Sequence, residues 1–326
     1  MSGFLIIVAA ALVWGIGNAV TGYTAYHYAA TGSLFPAIDI ALANTVGGLI
    51  FLIPAKYLSR ALAENSSALL YHSVAQRYSR QALLASMLKG SNTCLFVFST
   101  MYIAATQSLV LESTYIVWSL VLTMIFTVAK PKTLIAKAVL IFLAATLVSG
   151  QSSLQLNTKY HMLGAVFGII AGMTYAGFLF FWSQVTAGLD DLPSLITSTG
   201  VLQMISLLSI LVFSEFLSLI LLGTWWMPLR NLNYPDILLQ MVNGIFVIGV
   251  TYLLLTVGMA RLKELRQGAS TLAALGLSFS IPFTLLPEYM IGKFHPTAIQ
   301  IAGLILFMIG FIILTAESKA STGGQS

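Results

Sequence analysis

Three carboxylates fall inside apolar stretches of the chain: Asp39, Glu112 and Glu288. An acid in hydrocarbon is costly and is a functional candidate by default, as a cation-binding or proton-carrying group. The sequence predicts all three near the outer ends of their helices. Asp39 and Glu112 fall in about the first turn, where a carboxylate also favours the positive helix N-terminus. A solvated helix end is therefore the competing reading for each. A second set is aromatic. Trp14 has Asn18 at i+4 and Thr21 at i+7, on one helix face. Close packing through Gly15, Gly17 and Gly22, with Asn18 bonding between helices, is the bland reading of that face. A cavity wall is the functional one: ring faces attract cations, and a side-chain amide orients a polar solute. Tyr175 and Trp182 recur on a later segment, and Tyr102 and Trp118 are further wall candidates. The solute-binding candidates are thus Trp14, Asn18, Tyr102, Glu112, Trp118, Tyr175 and Trp182. The coupling candidates are Glu112, Glu288 and Asp39.

Catalytic and cofactor chemistry is not expected. His27, His72, His161 and His295 fall in loops or at helix ends, and Cys94 is the single cysteine. Neither a metal cluster nor a disulfide can be assembled from them. No Gly-x4-Gly-Lys-Ser/Thr stretch is present to bind ATP. An intramembrane enzyme would need His, Asp or Glu paired at one depth, and no such pairing is legible.

The elements that must position these residues are membrane helices. The 326 residues are 58% hydrophobic and 8% charged, with a mean hydropathy of +0.92. A soluble domain carries roughly 25% charged residues, so an ordinary soluble fold and nucleic-acid binding are excluded. A bilayer core needs about 20 apolar residues per helix. Ten such segments are expected, near 3–25, 35–55, 83–106, 110–129, 134–151, 162–186, 194–214, 237–259, 268–291 and 298–316. Spans three and four are so close that they form a tight hairpin. The first 22 residues carry no charge and no basic n-region, so a cleavable signal peptide is not expected.

Lysine and arginine orient the chain. With the N-terminus inside, the inner side receives Lys56, Arg60, Arg77, Arg80, Lys89, Lys130, Lys132, Lys137, Arg261, Lys263, Arg266 and Lys319. The outer side receives Lys159, Arg230 and Lys293. Both termini are therefore expected to be cytoplasmic. In this arrangement Lys89 and Arg261 read as inner-end orientation signals, and the spans offer no clear cation to hold an anion. The outer face is net acidic and would concentrate a cationic or zwitterionic solute.

Aligning "AAALVWGIGNA" with "IIAGMTYAGFL" sets Trp14 on Tyr175 and Gly15 on Ala176. Each half then holds five spans, an odd number, so the second half enters the membrane inverted. Inverted repeats are a hallmark of secondary transporters with a midplane site. The first repeat covers 1–151, the second 162–316, and 317–326 is a cytoplasmic tail. With Trp14-Gly15 early in the first helix, Pro282 in the ninth and a Gly-rich last helix in "HPTAIQIAGLILFMIGFII", the chain resembles the drug/metabolite transporter superfamily, EamA-type. It departs from that pattern at Ala129-Lys130 and Gly292-Lys293, where the family often has Gly-Glu. The resemblance implies an all-α fold of ten transmembrane helices in two inverted five-helix repeats. It also implies solute transport by alternating access without a cofactor, in a bacterial inner membrane.

The expected partners are a small-molecule solute and membrane lipids, and a homo-oligomer is compatible with the sequence. Aromatic walls and an acidic mouth favour an amino-acid-like or amine-bearing solute. A lipid-linked-solute flippase or a non-transporting membrane subunit is the alternative, with a sugar transporter behind them.

Overall fold

The computed structural model describes residues 2–31, 33–62, 69–103, 105–126, 158–189, 191–225, 227–262, 269–290 and 297–323, with scattered residues between 136 and 147. Every regular element among them is helical. Backbone groups in lipid have no water to bond, so a spanning segment satisfies them within itself.

The elements are α1 (Ser2–Tyr28), α2 (Phe35–Leu62), α3 (Leu69–Tyr102), α4 (Ala105–Glu112), α5 (Tyr115–Phe126), α6 (Thr158–Thr186), α7 (Leu192–Leu222), α8 (Tyr234–Gly244), α9 (Thr251–Arg261), α10 (Ala269–Leu277), α11 (Ser280–Met290) and α12 (Ala298–Gly323). A π-helical turn at Ile245–Val250 joins α8 to α9 into one span. Eight helical stretches are long and apolar enough to cross a membrane. They coincide with the expected spans one to four and six to nine, and a shorter apolar helix at Ala298–Gly310 falls on the tenth. The chain is a multi-pass, all-α membrane protein. The expected fifth span, 134–151, lies largely outside the described residues.

Spans four and nine both tighten in mid-course. In the fourth, Thr114 N bonds to Leu111 O and Ile116 N to Ser113 O, each three residues back. In the ninth, Phe279 N bonds to Gly276 O and Ile281 N to Ser278 O, also three residues back. A serine marks both places. Ser113 Oγ donates to Val110 O at 2.5 Å and Ser278 Oγ to Leu275 O at 2.7 Å. Such hydroxyl back-bonds compete with the helical ladder and bend helices. Pro282 follows the second kink and cannot donate to the ladder. The fourth span kinks without a proline.

The first helix of each pair seats on a kink. A Cβ on Gly15 of α1 would lie 2.5 Å from Ser280 O, and Thr284 Oγ1 donates to Gly15 O at 2.8 Å. A Cβ on Gly172 of α6 would lie 2.6 Å from Glu112 O. Only glycine permits these backbones to come so close. Elsewhere α3 packs along α6 and α7, while α8, the π turn and α9 pack along α1 and α2. Helix α1 also runs against α10 and α11, α6 against α4 and α5, and α2 meets α7.

One end of the bundle is tied by side chains. Asp39 lies near a helix end, as expected, but it is fully buried, which sets aside the competing reading of a solvated acid. Its Oδ1 accepts from Leu229 N at 2.9 Å, and its Oδ2 accepts from Asn231 N and Nδ2, each at 2.9 Å. The carboxylate thus latches the turn that precedes α8, where Leu229 adopts φ 61°. Tyr28 Oη donates to Asp236 Oδ2 at 2.7 Å and accepts from Asn233 N at 3.0 Å.

Candidate functional site

A small, partly open cleft of about 20 Å³ lies among α1, α2, α3 and the α8–α9 span. Trp14, Asn18 and Thr21 come from α1, Asn44 from α2, and Asn92, Thr93, Phe96 and Val97 from α3. The fourth wall is Val247, Ile248 and Tyr252. The π turn sets these last three. Widened turns of this kind recur at functional sites, and here Thr251 Oγ1 reaches back five residues to Phe246 O at 3.0 Å.

The polar side chains in and behind the cleft wall divide into two groups. Asn243 on α8 is fully engaged toward α1 and α2: its Nδ2 donates to Gly17 O (3.1 Å), Thr21 Oγ1 (3.0 Å) and Asn44 Oδ1 (3.4 Å). Asn44 Nδ2 also donates to Thr21 Oγ1 at 3.3 Å. These bonds hold three helices together. The other group is under-satisfied. Asn18 Nδ2 and Glu112 Oε2 are buried with no hydrogen-bond partner among the described residues. Buried polar atoms are nearly always paired, so each orphan calls for an absent partner.

Glu112 is the centre of that second group. It was expected in the first turn of a span beginning near 110. The helix instead begins at Ala105, so Glu112 is the last residue of α4, two turns in and fully buried at the kink. Asn92 Nδ2 donates to Glu112 Oε1 at 2.7 Å and to Ala171 O at 3.0 Å. One amide therefore joins the cleft wall, the carboxylate and α6. The second carboxylate oxygen is free to accept.

Tyr115, Tyr175 and Tyr252 lie near this carboxylate and belong to one aromatic column. Trp14 stacks on Tyr175 with centroids 5.2 Å apart and planes 24° apart. Tyr115, three residues beyond Glu112, meets Tyr175 at 5.2 Å. Phe178 continues the column to Tyr252 at 5.7 Å and to Trp182 at 6.4 Å.

The expected site residues therefore separate. Trp14 and Asn18 line the cleft, and Tyr175 lies against Trp14. Glu112 stands behind Asn92. Trp182 does not line the cleft: its Nε1 donates to Thr256 Oγ1 at 3.1 Å, which also accepts from Thr199 Oγ1 at 3.0 Å. Tyr102 is buried against Gly164 of α6, and Trp118 is half-buried one turn past the kink; neither lines the cleft. Asp39 is at the latched end of the bundle. The side chain of Glu288 lies outside the described residues.

Lys89 corrects the inner-end reading. It was assigned to the membrane surface as an orientation signal. It is fully buried in α3, nine residues past Arg80, or about 13 Å at 1.5 Å per residue. Its Nζ donates to Gln203 Oε1 of α7 at 2.6 Å and lies 5.0 Å from the centroid of the Tyr252 ring. The spans do hold a buried cation. Its signal in the sequence was the polar stripe Ser86, Lys89, Asn92 and Thr93 at spacings of three and four. Among the described residues, no cluster of three His, Cys, Asp or Glu could hold a metal ion.

No family model and no curated protein matches the chain. Its fold is similar to that of a protein solved by crystallography, with a TM-score of 0.64 over 98% of each chain at 14% identity. That likeness extends to the fold alone.

Proposed function

We propose that the chain is a secondary transporter that moves a small amine-bearing solute through this cleft by alternating access. The observation that carries the reading is the Glu112 carboxylate. It is fully buried at a helix kink, held on one oxygen by a cleft-lining amide, and open on the other. A protonated amine completes such a carboxylate, and the rings of Trp14, Tyr115 and Tyr175 stabilise the same cation by about 0.5–2 kcal/mol per contact.

Ten spans in two inverted halves, as in the EamA-type drug/metabolite transporters, is the architecture that goes with this reading. Three observations support it. The fourth and ninth spans kink with the same hydrogen-bond pattern at a serine. Exchanging spans one to four with six to nine converts one set of packing pairs into the other: three on six becomes eight on one, and one on nine becomes six on four. Trp14 and Tyr175, which the repeat alignment pairs, stack on each other, as equivalent residues do beside a twofold axis. Kinked spans facing each other across a midplane site recur in such transporters. The excess of lysine and arginine in the expected inner loops supports a topology with both termini in the cytoplasm of a bacterial cell, and in that topology Asp39 and Tyr28 lie at the outer end.

The test is flux in proteoliposomes, offering amines, amino acids, a neutral sugar and a dicarboxylate as separate solutes. Flux of an amine-bearing solute, competed by its analogues, is the expected result. Movement of the dicarboxylate alone would overturn the assignment.

A further inference from the structure

The Lys89–Gln203 pair is not explained by packing or by the amine site. An ammonium carries three donors, and among the described residues the one hydrogen bond Lys89 Nζ makes is to Gln203 Oε1. The Tyr252 ring face meets the ammonium but supplies no hydrogen-bond acceptor in the plane of a lone pair. The other end of the same amide, Gln203 Nε2, is buried without a partner among the described residues. Two unpaired kinds of donor therefore meet in one place, and no carboxylate of the described residues bonds to either. A buried cation without a counter-charge is destabilising. A donor-only site around a cation is completed by an anion, and a planar carboxylate can accept from both Nζ and Nε2.

The placement ties this pair to the cleft. Lys89 lies one turn from Asn92 on α3, a rise of about 4.5 Å, and Asn92 holds Glu112. Tyr252 walls the cleft with the ring that Lys89 rests on. Lys89 and Glu112 are both buried behind the cleft rather than on its surface, Lys89 behind Tyr252 and Glu112 behind Asn92, so each is one wall residue away from the cleft.

We propose that Lys89 and Gln203 form a carboxylate subsite, so that the transported solute is a small zwitterion, with its ammonium at Glu112 and its carboxylate at Lys89. This rests on the amine reading above and adds the second charge. Lys89 is then the residue that selects an amino acid over the corresponding amine or amide.

The test uses the purified full chain in detergent and measures binding of the standard L-amino acids, 4-aminobutyrate, and the carboxamide of each. Wild type should bind at least one zwitterion about tenfold or more tightly than its carboxamide, the effect of one charged hydrogen bond. In Lys89→Met the preference should fall to within about threefold, with carboxamide affinity unchanged, and the retained carboxamide binding reports a folded site. Gln203→Leu, which leaves the ammonium in place, should narrow the preference partially. Equal binding of zwitterion and carboxamide by wild type overturns the subsite and leaves the amine reading standing. A preference that persists in Lys89→Met overturns it as well. If no amine binds in either form while a sugar or dicarboxylate does, both readings fall together.

Discussion

Gly15 sits where α1 crosses the kinked ninth span, and Gly15→Ala measures how much that crossing contributes. The added Cβ would stand 2.5 Å from Ser280 O, 2.8 Å from Phe283 Cβ and 3.1 Å from Thr284 N. Ordinary contact begins near 3.4 Å, so about 0.9 Å of overlap with a backbone oxygen must be relieved. No rotamer change can do this, since the obstructing atom is main chain, and the helices must part. A parting of that size takes the 2.8 Å bond from Thr284 Oγ1 to Gly15 O beyond hydrogen-bond range. Overpacking costs roughly 1–3 kcal/mol and the lost bond about 0.5–1.5 kcal/mol. The better helix propensity of alanine returns up to about 1 kcal/mol. The net expectation is a destabilisation of roughly 0.5–4.5 kcal/mol. Gly200→Ala is the matched control. That residue is also inside a helix, α7, but a Cβ there meets nothing within 4 Å, so the substitution should be neutral or stabilising. The assay is the thermal midpoint of the detergent-solubilised protein, followed by loss of the monodisperse species. Gly15→Ala should melt below wild type and Gly200→Ala at or above it. If the two variants melt together, the close crossing of α1 and α11 is wrong.

Glu112→Gln keeps the acceptor facing Asn92 but removes the charge. Amine binding should weaken by about 10- to 150-fold, the range for one charge-assisted hydrogen bond, read by calorimetry on the purified protein. Binding within twofold of wild type would remove Glu112 from the site. Asp39→Asn turns one acceptor oxygen into a donor against the Asn231 donors, so amide hydrogen exchange across 227–233 should accelerate by about tenfold or more; unchanged exchange would mean the latch contributes nothing. For orientation, Trp225→Cys, at an exposed residue beyond α7, should react with an impermeant thiol reagent on intact cells. Ser321→Cys should react only after permeabilisation, and Cys94, being buried, gives little background. The reverse pattern would invert the topology.

The helices were legible because hydropathy integrates over some 20 residues and tolerates local error. Their limits were not, and two errors about charge follow from that. Starting the fourth span at 110 instead of Ala105 moved Glu112 from the kink to a helix end. Starting the third at 83 and taking Lys89 for a surface cation ignored how long a buried helix remains after Arg80. A window average cannot tell a lysine that snorkels to the headgroups from one that faces a partner inside the bundle. What separates them is the companion across the interface, and Gln203 lies 114 residues away in sequence. Periodicity did carry the information in weaker form. Ser86, Lys89, Asn92 and Thr93 share a face, and the same face bonds Ser206, Gln203 and Glu112. The Trp14–Tyr175 stack was legible for the opposite reason: an internal repeat supplies the long-range pairing that a single helix lacks. Charge buried by one's own helix face and paired by a distant one is therefore the feature to seek in such chains, by asking of each lysine in a span whether polar residues recur three and four positions along from it. Applied here, with the added condition that the polar residues fall inside the same apolar span, that rule selects Lys89, which has Asn92 and Thr93 at those positions, and passes over Lys56, whose Ser59 and Arg60 lie beyond the apolar span of α2.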